Sequence, residues 1–383
     1  MNSIWNRIKN IKGFKDLSSL GIANAGGAAI SAIFWFYLAS IMGPEQYGEV
    51  SYLIAIAGIA SVFCLFGSGY TLIVYTAKNQ NLLWPAALIS IGSSIVAAIV
   101  LYILFEEPSL GVYAIGYVIF NLAIADLLGR KMYKRYSKIF LIQKICLVVF
   151  AILLYYIMGL TGVIFGLGLS MLVFVFPIAS SLKKSKLDFT DFKNNIGFTI
   201  NVYIESLARS FTGQIDKLII APMLGFALLG NYHLGIQFLS LLSILPSIVM
   251  QYTLPQNASG EERSGLKKAT IVASICLSVI GVISAPFLIP IIFPEYIEAV
   301  IIIQIISLVI IPQTISVMYM SKFLGMEKSK LVIAGSAIFI VIQIPMIYWL
   351  GSLFSIVGVA FALLISTVSQ ATFYFIANKR IKK

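Results

Sequence analysis

Apolar residues run through this chain in long blocks rather than in the alternation of a half-buried strand. A helix needs about 20 apolar residues to cross a bilayer. Twelve blocks meet that length: 18–42, 49–77, 81–104, 109–128, 139–158, 161–182, 196–223, 226–251, 269–292, 296–321, 331–350 and 354–377. The block 49–77 has length enough to be broken or tilted, and 104–109 is only a short gap. The pattern predicts an all-α polytopic membrane protein of about 12 transmembrane helices.

One block departs from the rest. Residues 196–223 carry Glu205, Arg209, Asp216 and Lys217, whereas no other block holds more than one charge. A charged side chain near the bilayer centre costs about 2.5–3.5 kcal/mol even on the lenient insertion scale. At about 100° per residue, Glu205, Arg209 and Asp216 fall within about 40° of one another on one helix face. Lys217 lies to the side. A simple anchor offsets no such cost, so the stripe points to a polar cavity.

Composition agrees with a membrane protein. The chain is 60% hydrophobic and 11% charged, with a mean hydropathy of +0.97. Lysine and arginine then set the orientation. With the N-terminus in the cytoplasm, 24 of the 27 basic residues fall inside and none in the outer loops. The other three, Lys144, Arg209 and Lys217, lie within spans. Glu45, Glu49, Glu106, Glu107, Glu295 and Glu298 fall on the outer side. The net charge of +12 thus reflects topology, and no nucleic-acid partner is required. The expected location is the cell membrane, multi-pass, with both termini cytoplasmic. The first block is too long for a signal-peptide core. Residues 1–17 read as an interfacial amphipathic helix, with Ile4, Trp5, Ile8, Ile11 and Phe14 against Arg7, Lys9, Lys12 and Lys15. Cys64, Cys146 and Cys276 all sit in apolar blocks, which suggests no disulfide, metal or cofactor framework.

The chain repeats itself. Gly43-Pro-Glu-Gln-Tyr-Gly48 and Gly225-Phe-Ala-Leu-Leu-Gly230 match at an offset of 182, as do Tyr70-Thr71-Leu72 and Tyr252-Thr253-Leu254. Gly162–Ser170 matches Gly358–Ser366 at an offset of 196. The organisation expected is an N-terminal six-helix bundle over 18–182, a cytoplasmic linker over 183–195 and a C-terminal six-helix bundle with a basic tail over 196–383. Six spans is an even number, so both halves start from the cytoplasm. Such repeats are related by an axis along the membrane normal.

Met42-Gly-Pro-Glu-Gln-Tyr-Gly-Glu-Val50 at the end of the first span resembles the polysaccharide-flippase branch of the multidrug/oligosaccharidyl-lipid/polysaccharide exporter superfamily. Gln214-Ile-Asp-Lys-Leu-Ile219 before a Leu-Gly turn, and Phe293-Pro-Glu-Tyr296 before span ten, are similar to further elements of that family. The resemblance covers nearly the whole chain. It implies two six-helix bundles around a central cavity. It also implies movement of oligosaccharide on an isoprenoid (pyro)phosphate from the cytoplasmic to the outer leaflet, for cell-surface polysaccharide biosynthesis. Partners implied are the lipid-linked oligosaccharide, membrane lipids, H+ or Na+ as candidate coupling ions, and other polysaccharide-assembly proteins. An ion-coupled small-molecule or drug antiporter on the same fold is the alternative. Drug exporters of the superfamily resemble one another in an acid in the first span, and here that span offers Asn24 and no acid. The basic first-span residues and two further helices common among lipid II flippases are also missing.

The candidate substrate-binding residues are Arg209, Glu205, Asp216, Lys217, Asn24 and Lys144. Arginine suits phosphate because its planar fork binds two oxygens. Each residue has a plainer reading. Glu205 and Arg209, spaced i,i+4, pair and hold the helix. Asp216 and Lys217 make helix-end contacts or snorkel. Asn24 packs a helix contact beside Gly26 and Gly27, and Lys144 snorkels to the cytoplasmic interface. His233, the only histidine, is a proton switch or an ordinary interfacial residue. Asp126 pairs with Arg130 at a helix end. The outer loops hold no Asp and no basic residue, which disfavours a membrane-embedded glycosyltransferase or polymerase. No Gly-x-x-x-x-Gly-Lys-Ser/Thr loop is present, so the chain shows no ATPase of its own and is not read as an enzyme.

The topology is testable by accessibility. In a background without the three native cysteines, Gln46→Cys and Ile297→Cys should react with an impermeant thiol reagent added outside. Ser185→Cys and Gly265→Cys should not. The opposite pattern would rule out the twelve-span orientation.

Overall fold

A computed structural model of the chain describes the backbone of residues 14–185, 187–244, 246–247, 264–326 and 328–381. Side chains are described within these from residue 19, except 264–267, 325 and 329. The expected amphipathic helix of 1–17 falls largely outside the described residues. So does the Tyr252-Thr253-Leu254 half of one repeat match.

The fold is all-α, as the hydropathy pattern predicts. The elements are α1 (Phe14–Leu65), α2 (Ser68–Ala77), α3 (Leu83–Phe105), α4 (Pro108–Gly129), α5 (Tyr133–Met158), α6 (Leu160–Met171), α7 (Val175–Leu182), α8 (Thr190–Asn194), α9 (Ile196–Leu224), α10 (Phe226–Leu242), α11 (Ser264–Ile292), α12 (Ala299–Gly325) and α13 (Ser329–Ile381). Eight helical stretches among the described residues are long and apolar enough to span. Two of them, Ser19–Leu65 and Lys330–Ile381, run 47 and 52 residues. A crossing needs only about 20 residues, so each holds two spans. Adding α9 and the shorter apolar α10 brings the number to the expected twelve.

The long helices break where two spans join. In α1 the break is Gly43 (φ 70°, ψ 168°). In α13 it is Ser355 (φ 54°, ψ −140°). The backbone repeats these turns at the sequence offsets. Gly225, the counterpart of Gly43 at the offset of 182, has φ 88° and ψ 169°. Gly159, the counterpart of Ser355 at the offset of 196, has φ 66° and ψ −141°. Both conformations lie in territory that glycine enters freely and other residues enter at a cost.

By packing, the chain forms two compact units. One comprises the chain up to Phe34 together with Ile56–Ser210; the other comprises Trp35–Ala55 and everything from Phe211 onward. Helices α1 and α9 are each shared between the two. The first unit is built on Leu65, Leu72, Leu83, Leu122, Phe174 and Ile178. The second centres on Ile220, Leu229, Tyr232, Ile306, Ile310 and Val359.

Within the second unit the two Gly-x-x-x-x-Gly turns meet. A Cβ on Gly48 would stand 1.9 Å from the Phe226 carbonyl oxygen, and one on Gly230 would stand 1.9 Å from the Pro44 carbonyl oxygen. Positions 44 and 48 correspond to 226 and 230 at the repeat offset, so each contact is the image of the other. Only glycine permits this backbone-on-backbone approach.

Two changes test these positions. Ser355→Gly should raise stability by about 1 kcal/mol, because it removes a side chain from a left-handed turn. Gly230→Ala should lower it by about 1–3 kcal/mol through overpacking. Thermal unfolding of the purified protein in detergent reads both, and a Ser355→Gly protein that melts below the wild type would refute the first.

Candidate functional site

The second span is interrupted, and the interruption shapes the site. Helix α1 ends at Leu65. Phe66 (φ 45°) and Gly67 (φ 73°) take left-handed conformations, and α2 restarts at Ser68. A broken helix frees carbonyl groups, and hydrocarbon offers them no water. Here side chains satisfy them. Ser93 Oγ donates to the Cys64 carbonyl at 3.0 Å. Ser90 Oγ donates to the Leu65 carbonyl at 3.2 Å, and Ser68 Oγ donates to the same oxygen. Tyr203 of α9 donates its hydroxyl to the Phe63 carbonyl at 3.4 Å, and its ring stacks on Phe66 at 5.5 Å. A Cβ on Gly67 would stand 2.4 Å from the Thr199 carbonyl oxygen. The break therefore lies directly against the first half of α9.

Arg209 and Glu205 lie one to two turns further along α9, beside the same interruption. They form the i,i+4 ion pair, Nη2 to Oε1. The guanidinium sits 5.7 Å from the centre of the Tyr70 ring, which α2 carries just past the break. The Arg209 side chain is 64% exposed and that of Glu205 35%. The pair lies at the surface of the first unit and not in its core.

Asp216 and Lys217 stand in a different setting. Both are buried in the second unit. Asp216 accepts the Tyr232 hydroxyl at 3.0 Å and the Lys217 backbone N–H at 2.8 Å. Lys217 Nζ donates to Gln214 Oε1 at 2.7 Å and to the Gly213 carbonyl at 3.2 Å. These groups are satisfied inside the protein. Close by in sequence, His233 lies between Trp35 and Tyr47, at ring distances of 5.6 and 5.0 Å. Its Nε2 is 3.2 Å from Gln237 Nε2. It is a buried residue within an aromatic box.

Asn24 and Lys144 share one interface of the first unit. Asn24 Oδ1 accepts the Tyr136 hydroxyl at 3.0 Å. Lys144 Nζ lies 5.3 Å from the centre of the Phe140 ring, and both side chains pack at Gly27. Tyr136, Phe140 and Lys144 form an i,i+4,i+8 row on α5, and α1 lays Asn24 and Gly27 along it. Asp126 pairs with Arg130 Nε at 2.8 Å.

Sequence reasoning marked Tyr70 only as part of a repeat match and missed Tyr203 and Tyr232. Each is one of 19 tyrosines, and no pattern in the chain ties it to the partner it meets in the fold. The length of the 49–77 block was the available signal for the break. Among the described residues no group of three His, Cys, Asp or Glu side chains could hold a metal ion.

A sequence profile of the family described as "Polysaccharide biosynthesis protein" matches residues 14–256. Among curated proteins none matches. Solved structures do. The lipid II flippase MurJ in an inward closed conformation aligns with a TM-score of 0.75 at 14% identity, covering 94% of this chain and 87% of that one. An inward-facing multidrug resistance MATE family transporter of the MOP superfamily gives 0.68 at 16%, covering 93% and 94%. A MOP superfamily transporter from Pyrococcus furiosus, noted for the reverse polarity of its binding pocket, gives 0.61 at 17%, covering 96% of each. At such identities the structures speak for the fold. The profile, which takes in well over half of the chain, adds the lineage: the chain belongs to the polysaccharide biosynthesis protein family and has the helical fold of the multidrug/oligosaccharidyl-lipid/polysaccharide exporters.

Proposed function

We propose that this transporter moves oligosaccharide carried on an isoprenoid (pyro)phosphate from the cytoplasmic to the outer leaflet by alternating access. The observation that carries the proposal is the accessible Arg209–Glu205 pair beside a broken span. Irregular backbone at membrane depth is tolerated where it is buried in protein or lines a cavity, and discontinuous helices build transporter sites. The lipid tail stays in the bilayer while the anionic head needs a wet, cationic path. Arg209 is the phosphate ligand. Glu205 holds its guanidinium at rest, and an arriving phosphate competes for the same fork and loosens the pair. Head-group capture is thereby linked to rearrangement.

The rearranging parts are the halves 18–182 and 196–383, joined by 183–195 and related by rotation about the membrane normal. The matching turns at Gly43 and Gly225 and the reciprocal contacts of Gly48 and Gly230 support that relation. Both termini lie in the cytoplasm, where the basic residues collect. Asp216, Lys217, Asn24 and Lys144 are secondary candidates, since each already has partners within its own unit. The small-molecule antiporter draws support from the fold shared with the MATE transporter. The absence of an acid from residues 18–42 weighs against it.

The test is glycan export in a complemented deletion strain, with protein level checked alongside. Arg209→Ala should abolish export at normal abundance. Arg209→Lys should retain part of it, because charge remains but the two-oxygen geometry is lost. Glu205→Gln should be milder than Arg209→Ala, since it removes the competitor and spares the ligand. Wild-type export by Arg209→Ala would make the pair structural and the assignment wrong. Accumulation of a lipid-linked glycan on the inner leaflet of the deletion strain identifies the substrate class; its absence, with gained drug sensitivity, would favour the antiporter.

A further inference from the structure

A polar hollow, apart from the Arg209 site, opens in the first unit where α2, α4 and α7 all end. Its volume is about 610 Å³, and its lining includes Asn79, Gln80, Arg130, Lys131, Lys184 and Ser185. That volume lies within the range of small-ligand pockets, about 300–1,000 Å³. Three cations line it, and no acid does.

Helix C-termini carry partial negative charge, which by itself attracts lysine and arginine. Here that charge is already answered. The Tyr75 carbonyl accepts N–H bonds from Lys78 and Gln80, and Thr76 accepts from Asn79. The Leu127 carbonyl accepts from Met132, and Leu128 from Lys131. The Trp84 indole N–H reaches the carbonyls of both Leu182 and Ser185, at 3.0 and 3.1 Å. The carboxylates near the hollow are engaged too. Asp126 pairs with Arg130 at 2.8 Å and accepts Ser181 Oγ at 2.6 Å. Asp191 accepts the Asn81 N–H at 2.9 Å. No described carboxylate stands within ion-pair distance of the Lys131 or Lys184 ammonium. Lys131 moreover holds a left-handed conformation, φ 58°, at a helix end where glycine is usual. The Asp126 pair fixes Arg130 through Nε, which leaves its terminal nitrogens as donors.

We infer that this hollow binds a phosphate group, with Lys131 and Lys184 as its charged ligands and Arg130 as a fixed donor, and that the phosphate belongs to a lipid headgroup of the adjacent leaflet. The hollow exceeds what a bare phosphate fills, which favours the headgroup over the free ion. Basic pockets among helix ends on the cytoplasmic side are suited to anionic lipids. Naming that leaflet as the inner one rests on the orientation proposed above. Binding measured in detergent does not, so the two readings fail separately.

The experiment is native mass spectrometry of the purified protein with phosphatidylglycerol or phosphatidylcholine added. The wild type should retain phosphatidylglycerol in preference. Lys131→Ala/Lys184→Ala should weaken that retention by more than about fivefold, since fivefold is what the loss of one surface cation implies and this variant loses two. Lys379→Ala/Arg380→Ala, which removes the same charge from the end of α13, should keep it. Size exclusion and thermal unfolding confirm that both variants are folded. Displacement of the lipid by millimolar inorganic phosphate would give the site to the free anion; retention in its presence would give it to the headgroup. Equal loss in both double variants, or no loss in the first, would overturn the proposal.

Discussion

Every backbone N–H and C=O inside a bilayer must find its partner within the protein. That constraint organises this fold. Unbroken helices meet it by themselves. The interruption inside the second span, at Phe66–Gly67, does not. Three serines and a tyrosine hydroxyl bond the carbonyls freed at Phe66–Gly67. This requirement brings α3 and α9 against the break, and through them Tyr70 and Arg209 come within 5.7 Å. The polar site is thus a consequence of how the chain repairs a broken span.

Much of this was legible in the sequence, for reasons that differ by element. The spans were visible because hydropathy summed along a whole crossing is insensitive to any one position. The break at Gly43 was visible because Gly-Pro is chemically distinct. The one at Ser355 was not, because serine carries no such mark. Its signal lay in the repeat: the match of Gly162 with Gly358 puts Ser355 opposite Gly159, and the two have nearly the same ψ. Arg209 and Glu205 stood out because charge is rare here. What surrounds them did not. Tyr70 lies far from Arg209 along the chain, and only the fold joins them. Asp216 shares the face of Arg209 on an ideal helix, yet its carboxylate bonds Tyr232 in a buried core. Helical phase fixes a direction, and the neighbouring helix decides whether that direction is wet or dry.

The energetics of the Arg209 pair bear on why it is there. On a water-accessible helix face an i,i+4 ion pair is worth about 0.2–0.5 kcal/mol. In a dry interior the desolvation of both ions offsets their attraction or exceeds it. Neither setting makes Glu205–Arg209 a useful device for holding α9, whose length already spans the bilayer. A pair that adds little to stability but keeps a cation available has a different use. The use we propose is to hold the guanidinium until a stronger bidentate acceptor such as a phosphate arrives. The exposure of 64% at Arg209 and 35% at Glu205 fits that role better than a structural clamp. Asp126–Arg130 makes the contrast within the same chain. There the carboxylate side chain is 2% exposed and also bonds Ser181, so the pair ties three groups at a helix end and is built to stay closed.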